Sequence, residues 1–161
     1  MNYDRKIFVI MPFSKTTNDH TETYWTNQFD YLLKATIGNF IDIPIERSKP
    51  VRTDILRDIV KNLIFSQIVL ADITDLNANV LWELGVRQSF TNGTIVIAEK
   101  GTPIPFDISI KGILLYPKLN TDPKYHEELE KFKKDLKIAI NDCLTNPELS
   151  DSHVLETLSG R

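Results

Sequence analysis

Apolar residues recur along this chain in two rhythms. The runs "KIFVIMP" (6–12), "QIVLADI" (67–73) and "GTIVIAE" (93–99) are apolar at nearly every position. They read as strands buried on both faces, because a strand with one wet face would alternate. "FIDIPIE" (40–46) does alternate, with Ile41, Ile43 and Ile45 on one side, and Pro44 marks it as an edge strand or a strand end. "GILLYP" (112–117) reads as a fifth, short strand. Between these runs the spacing turns helical. "WTNQFDYLLKAT" puts Trp25, Phe29, Leu32 and Leu33 on one face. "RTDILRDIVKNLIFS" turns Ile55, Ile59 and Leu63 or Val60 inward, with Thr53 or Asp54 placed to cap it. "VLWELGVRQSF" is helical, and "DPKYHEELEKFKKDLKIAINDCL" carries the stripe Leu129, Phe132, Leu136, Ile140. Strands that alternate with helices, and that are apolar on both faces, predict an α/β fold. It is a doubly wound, mainly parallel five-stranded sheet with helices on both faces. Residues 1–146 are expected to form one domain, and 147–161 a polar tail or the start of a linker.

Composition narrows the chemistry. Of 161 residues, 42% are hydrophobic and 25% charged, enough to build a full core. A net charge of −3 disfavours nucleic acid as a partner, because phosphate binding calls for a basic face. The basic run "KFKKDLK" alternates with acids on a solvated helix face. Cys143 is the single cysteine, so neither an intrachain disulfide nor a cysteine metal cluster is expected. His20, His126 and His153 are scattered without metal-ligand spacing, and no metal site is expected. No apolar stretch reaches 18 residues, and the first apolar run is too short for a signal peptide; a cytoplasmic protein with no membrane partner is expected.

In open parallel sheets, ligands bind beyond the carboxyl ends of the strands. Two loops there stand out. In "DITDLNANVLWELG", Asp72 ends a buried strand, Asp75 follows in the turn, and Asn77 or Asn79 caps the next helix. With Asn79 as cap, Glu83 occupies the fourth helical position, shares a face with Asn79, Val86 and Arg87, and is held ionised by the helix dipole. A glutamate in a first turn commonly does no more than favour that dipole. Here, however, Val80, Leu81, Trp82, Leu84 and Val86 surround it, and a carboxylate among apolar residues either finds a partner or faces a cleft. In "MPFSK", Met11 and Pro12 end the first strand and Phe13 and Ser14 form its tip. The Phe13 ring either covers the core or stacks on a planar ligand. In "PIPFDI", Phe106 is expected to plug the sheet edge and Asp107 to cap a turn or close the site. Neither a glycine-rich phosphate loop nor a nucleophile elbow is present, which disfavours Rossmann dehydrogenases, P-loop enzymes and triad hydrolases.

Taken together, "FVIMPFS", "VLADITDLNANVLWELGVRQS" and "IPFDI" resemble bacterial TIR-like domains of the nucleoside 2-deoxyribosyltransferase-like superfamily, across about residues 6 to 117. The resemblance implies a flavodoxin-like, TIR-like sheet and cleavage of an N-glycosidic bond. It implies that Glu83 is the catalytic carboxylate, and that Met11, Pro12, Phe13, Ser14, Asp72, Asp75, Asn77, Asn79 and Trp82 bind substrate. The substrate it implies is a small nucleotide, either NAD or a deoxynucleoside, with no cofactor beyond NAD as substrate and with self-association as the mode of assembly. The favoured expectation is an NAD hydrolase or cyclase of antiphage defence. The alternatives are a deoxyribosyltransferase and a non-catalytic nucleotide-binding or assembly module. Ala78 departs from the family's proline and removes a restraint on the loop, and Trp82 stands where tyrosine or phenylalanine is usual.

Overall fold

A computed structural model describes residues 2–48, 55–109 and 112–160. Five strands form one sheet: β1 (Asp4–Ile10), β2 (Ile45–Arg47), β3 (Ser66–Asp72), β4 (Thr94–Glu99) and β5 (Leu114–Tyr116). Every pairing is parallel, and the order across the sheet is β2-β1-β3-β4-β5. The chain leaves β1 toward β2 on one side and returns to β3 on the other. The point where the winding reverses therefore lies between β1 and β3, and a cleft opens there at the carboxyl ends of the strands.

The fully apolar strands are explained by what covers them. Alternate residues face opposite ways. Ile7, Val9, Ile68, Leu70, Ile95 and Ile97 join one core with Trp25, Phe29, Leu33, Phe132, Leu136 and Ile140. Phe8, Ile10, Val69, Ala71, Val96 and Ala98 join a second core with Leu63, Val80 and Leu84. The first core lies under α1 (Glu22–Asn27), a π-helical stretch (Gln28–Lys34), α2 (Ala35–Gly38) and the long α6 (Lys124–Thr145). The second lies under α3 (Ile55–Phe65) and α4 (Ala78–Phe90). Helices on both faces of a parallel sheet are the doubly wound arrangement expected. Among the described residues, no helix is long and apolar enough to cross a membrane.

Several local expectations change. The edge strand is shorter than "FIDIPIE" suggests and starts after Pro44, whose backbone cannot donate to a ladder but whose carbonyl accepts from Ile7 N at 2.9 Å. Phe106 does not plug the sheet edge: it is 77% exposed on α5 (Phe106–Ser109), and Ile104 and Ile108 pack on the second core instead. Asp107 is also exposed. Residues 151–159 dock on the domain. Asp151 Oδ2 accepts from Gly93 N (2.8 Å) and Thr94 N (2.7 Å), and Ser152 caps α7 (His153–Ser159), which packs on α4. The expected cap at Thr53 or Asp54, and the Ile55 side chain, lie outside the described residues.

Candidate active site

The β3–α4 connection sets the geometry. Asn77, not Asn79, caps α4: its side-chain oxygen accepts from Asn79 N (3.0 Å) and Val80 N (3.2 Å). Glu83 is then the sixth helical residue, beyond the first turn in which a dipole acts strongly. The preceding residues Asp75 (φ 62°) and Leu76 (φ 50°) are both left-handed, which costs roughly 1–2 kcal/mol each for a side chain with a Cβ. Such a turn persists only where its surroundings impose it.

A cleft of about 390 Å³ opens beside this turn, lined by Met11, Pro12, Phe13, Ser14, Ser48, Leu56, Ile59, Asn77, Asn79, Val80, Trp82 and Glu83. Eight of the ten expected site residues thus share one cavity: Glu83, Met11, Pro12, Phe13, Ser14, Asn77, Asn79 and Trp82. Met11 and Pro12 are buried in its wall, Phe13 is half-buried, Ser14 and Asn79 are exposed, and Trp82 is 51% exposed at its rim. Among the described residues the Glu83 carboxylate has no hydrogen bond and no ion pair. Arg87, one turn on, is no partner, because its guanidinium is spent on backbone carbonyls elsewhere. Burial pushes the Glu83 carboxyl up to about 7. The expectation that the dipole keeps it fully ionised is corrected: apolar walls outweigh a dipole end that lies more than a turn away.

Asp72 and Asp75 do not line this cavity. Asp72 is 1% exposed and accepts from Thr74 N (3.1 Å), Thr74 Oγ1 (2.7 Å) and the Tyr116 hydroxyl (2.8 Å). Burial pushes its carboxyl up to about 6 against those bonds. Asp75 Oδ2 accepts from Thr16 Oγ1 (2.6 Å) and meets His20 Nδ1 at 2.6 Å. His20 Nε2 lies 3.1 Å from Glu99 Oε2, to which the Tyr24 hydroxyl donates at 2.9 Å, and the imidazole packs on Tyr24 and Trp25. These bonds form one network. It ties the Met11–Ser14 loop, through Thr16 and His20, to the strained turn before α4. Reading the sequence did not find it, because positions 16, 20, 75, 99 and 116 converge only in the fold.

His20 can donate to both carboxylates only as an imidazolium. Burial opposes that charge, but the bond to Asp75 and the charges of Glu99 and Asp75 outweigh it and raise the pKa above 6.5. A histidine whose folded pKa is raised adds stability that is fully present below about pH 6.5 and is lost as pH climbs through the folded value. The gap in Tm between the native chain and His20→Gln is therefore expected to be widest near pH 5.5 and to narrow above pH 7. Melting curves across pH check this, and a gap that stays constant would contradict an imidazolium.

No family model, curated protein or solved structure matches the chain. Among the described residues, no group of three or more His, Cys, Asp or Glu side chains is arranged to hold a metal ion.

Proposed function

We propose that this chain is a TIR-like NAD nucleosidase that cleaves the bond between nicotinamide and ribose, acting in the cytoplasm, in keeping with the antiphage role that its motifs suggest. The observation that carries the reading is Glu83: a carboxylate without a partner among the described residues, in a cleft at the winding reversal of the sheet, flanked by an aromatic loop and two asparagines. Breaking a ribosyl–nitrogen bond builds positive charge on the anomeric carbon. A carboxylate beneath that carbon stabilises the charge or attacks it, and a dry cleft strengthens the effect. In NAD the leaving pyridine is cationic, so the bonding electron pair neutralises it as it departs and no general acid is required. Water, or a second nucleophile of the same substrate, then completes hydrolysis or cyclisation. Asn77 and Asn79 offer amides to the sugar hydroxyls, and Phe13 and Trp82 offer ring faces to the base.

Incubation with NAD, and separately with a deoxynucleoside plus a free base, tests the proposal. Nicotinamide release that depends on Glu83 supports it. Base exchange would identify a deoxyribosyltransferase instead, and retained self-association with neither reaction would identify a binding or assembly module. A sharper check lies at Phe13. Phe13→Ala is expected to raise KM for NAD about tenfold, on the order of a lost stacking contact, while Tm shifts by only a few degrees. Collapse of Tm with KM unchanged would assign the ring to the core alone.

A further inference from the structure

A second cleft, of about 440 Å³, adjoins the first: Ser48 and Ile59 line both. Its wall includes Lys34, Arg47, Ser48 and Asn62. Arg47 stands at the end of β2, with its guanidinium carbon 5.1 Å from the centroid of the Phe13 ring and 5.2 Å from that of Phe29. Phe13 itself lines the Glu83 cleft, so the cation is one ring away from the site. The guanidinium donates to Trp25 O (3.3 Å) and to Thr26 Oγ1 (3.1 Å). These two bonds leave three of its five N–H groups for other acceptors. Among the described residues no carboxylate lies within ion-pair distance of it. Two acids line the same cleft, Glu46, which pairs with Lys6 at 3.2 Å, and Asp58 on α3, while Asp30 and Glu22 act on Arg47 only through space. A cation near the faces of two rings, without a counter-ion among the described residues and beside an open cavity, is placed to meet a planar or tetrahedral oxyanion.

We propose that the Arg47 cleft is a phosphate subsite continuous with the Glu83 cleft, which makes the substrate a phosphorylated nucleoside and not a free one. The inference rests on reading the Glu83 cleft as a glycosidic site, and it separates the NAD reading from the deoxynucleoside alternative on the substrate's own chemistry. Lys34, exposed on the same wall, adds charge without fixing geometry.

Calorimetry tests it. In a Glu83→Gln background, where cleavage is slowed, NAD is expected to bind about tenfold more tightly than nicotinamide riboside, which carries the same leaving group without the diphosphate. Adding Arg47→Gln should erase that preference and leave nicotinamide riboside unchanged. Inorganic pyrophosphate should bind the native chain, about tenfold more weakly after Arg47→Gln and about threefold more weakly after Lys34→Gln, a surface change that leaves folding intact. Equal weakening of NAD and nicotinamide riboside by Arg47→Gln would make Arg47 a prop for Phe13 and overturn the subsite, as would pyrophosphate binding indifferent to Arg47. The two readings fail separately. Pyrophosphate binding that needs Arg47, with no binding of nicotinamide riboside, keeps the phosphate site and removes the glycosidic one. Equal affinity for both ligands, with cleavage dependent on Glu83, does the reverse.

Discussion

Glu83→Gln is expected to yield a protein that is more stable than the native chain above pH 7 and that releases nicotinamide far more slowly. The two halves of the result share one cause. Apolar walls push the Glu83 carboxyl up to about 7, so the folded state binds its proton more tightly than the unfolded chain does. Between the unfolded value of 4.5 and about 7, the contribution of this group to stability therefore falls as pH rises, and above 7 the penalty is complete. Glutamine keeps the shape and carries no proton to lose. The gain at pH 8 is roughly 1–2 kcal/mol once solvent screening in a half-open cleft is allowed for, and it vanishes near pH 4.5. In a chain of this length each kcal/mol moves Tm by about 2–4 °C. Activity moves the other way. Loss of the charge that faces the developing cation is expected to lower kcat/KM by about 10²–10⁴, and kcat/KM of the native enzyme should climb with pH through about 7 as the carboxylate forms. Melting curves and nicotinamide release at pH 5, 7 and 8 measure both. A residue that destabilises its own fold and is needed for turnover is a functional residue. A native chain that melts above the variant at pH 8 would mean that Glu83 has a stabilising partner, and the catalytic assignment would lose its physical basis.

The sheet was legible because burial on two faces leaves a mark in one dimension. "IFVI", "IVLA" and "TIVIA" are apolar at odd and even positions alike, and only a strand covered on both sides requires that. Glu83 was legible for a related reason, since a charge amid Val80, Leu81, Trp82 and Leu84 violates the helix's own pattern. Its ionisation was not. That depends on the wall that Leu56 and Ile59 bring from another helix, and on which of two asparagines caps α4. Both Asn77 and Asn79 satisfy the capping rule locally; the left-handed turn at Asp75 and Leu76, pinned by His20 and Thr16, decides between them. Arg47 escaped notice because a lone basic residue at a strand end has no period to break. Phe106 misled for the opposite reason: a large ring in a proline-rich turn looks like a plug, yet the neighbouring isoleucines fill the space.

The largest loss of stability is expected at Arg87, at the opposite end of the sheet from the cleft. This side chain is fully buried on α4. Its Nη1 donates to Leu63 O (2.7 Å) and Ser66 O (2.8 Å), and its Nη2 to Gln67 O (3.2 Å), Asn92 O (2.6 Å) and Gly93 O (3.1 Å). One guanidinium thereby closes the end of α3, the start of β3 and the turn into β4. Gly93 belongs to the same arrangement: its φ is +88°, and a Cβ there would sit 2.5 Å from Gln67 O and 2.9 Å from Arg87 Nη2. Burial lowers the Arg87 pKa to about 10, with the Asp151 charge acting against it, so the group stays charged at neutral pH. Removing it takes the donor from two buried and three half-buried carbonyl bonds at once and leaves a cavity, and Arg87→Ala is expected to cost about 3–5 kcal/mol. Arg87→Met restores the volume without the donors and should recover only the cavity part of that loss. Arg87→Lys keeps a charge but cannot fork toward two sets of carbonyls, so it should fall between Met and the native chain. Denaturant titration gives the order directly, with an unchanged m-value as the sign that the folded state alone was affected. Activity per folded molecule should survive in all three, because Arg87 touches nothing in the Glu83 cleft. If Arg87→Met matched the native chain, the five bonds would be worth no more than the solvation they replace, and this end of the sheet would be held by apolar packing alone.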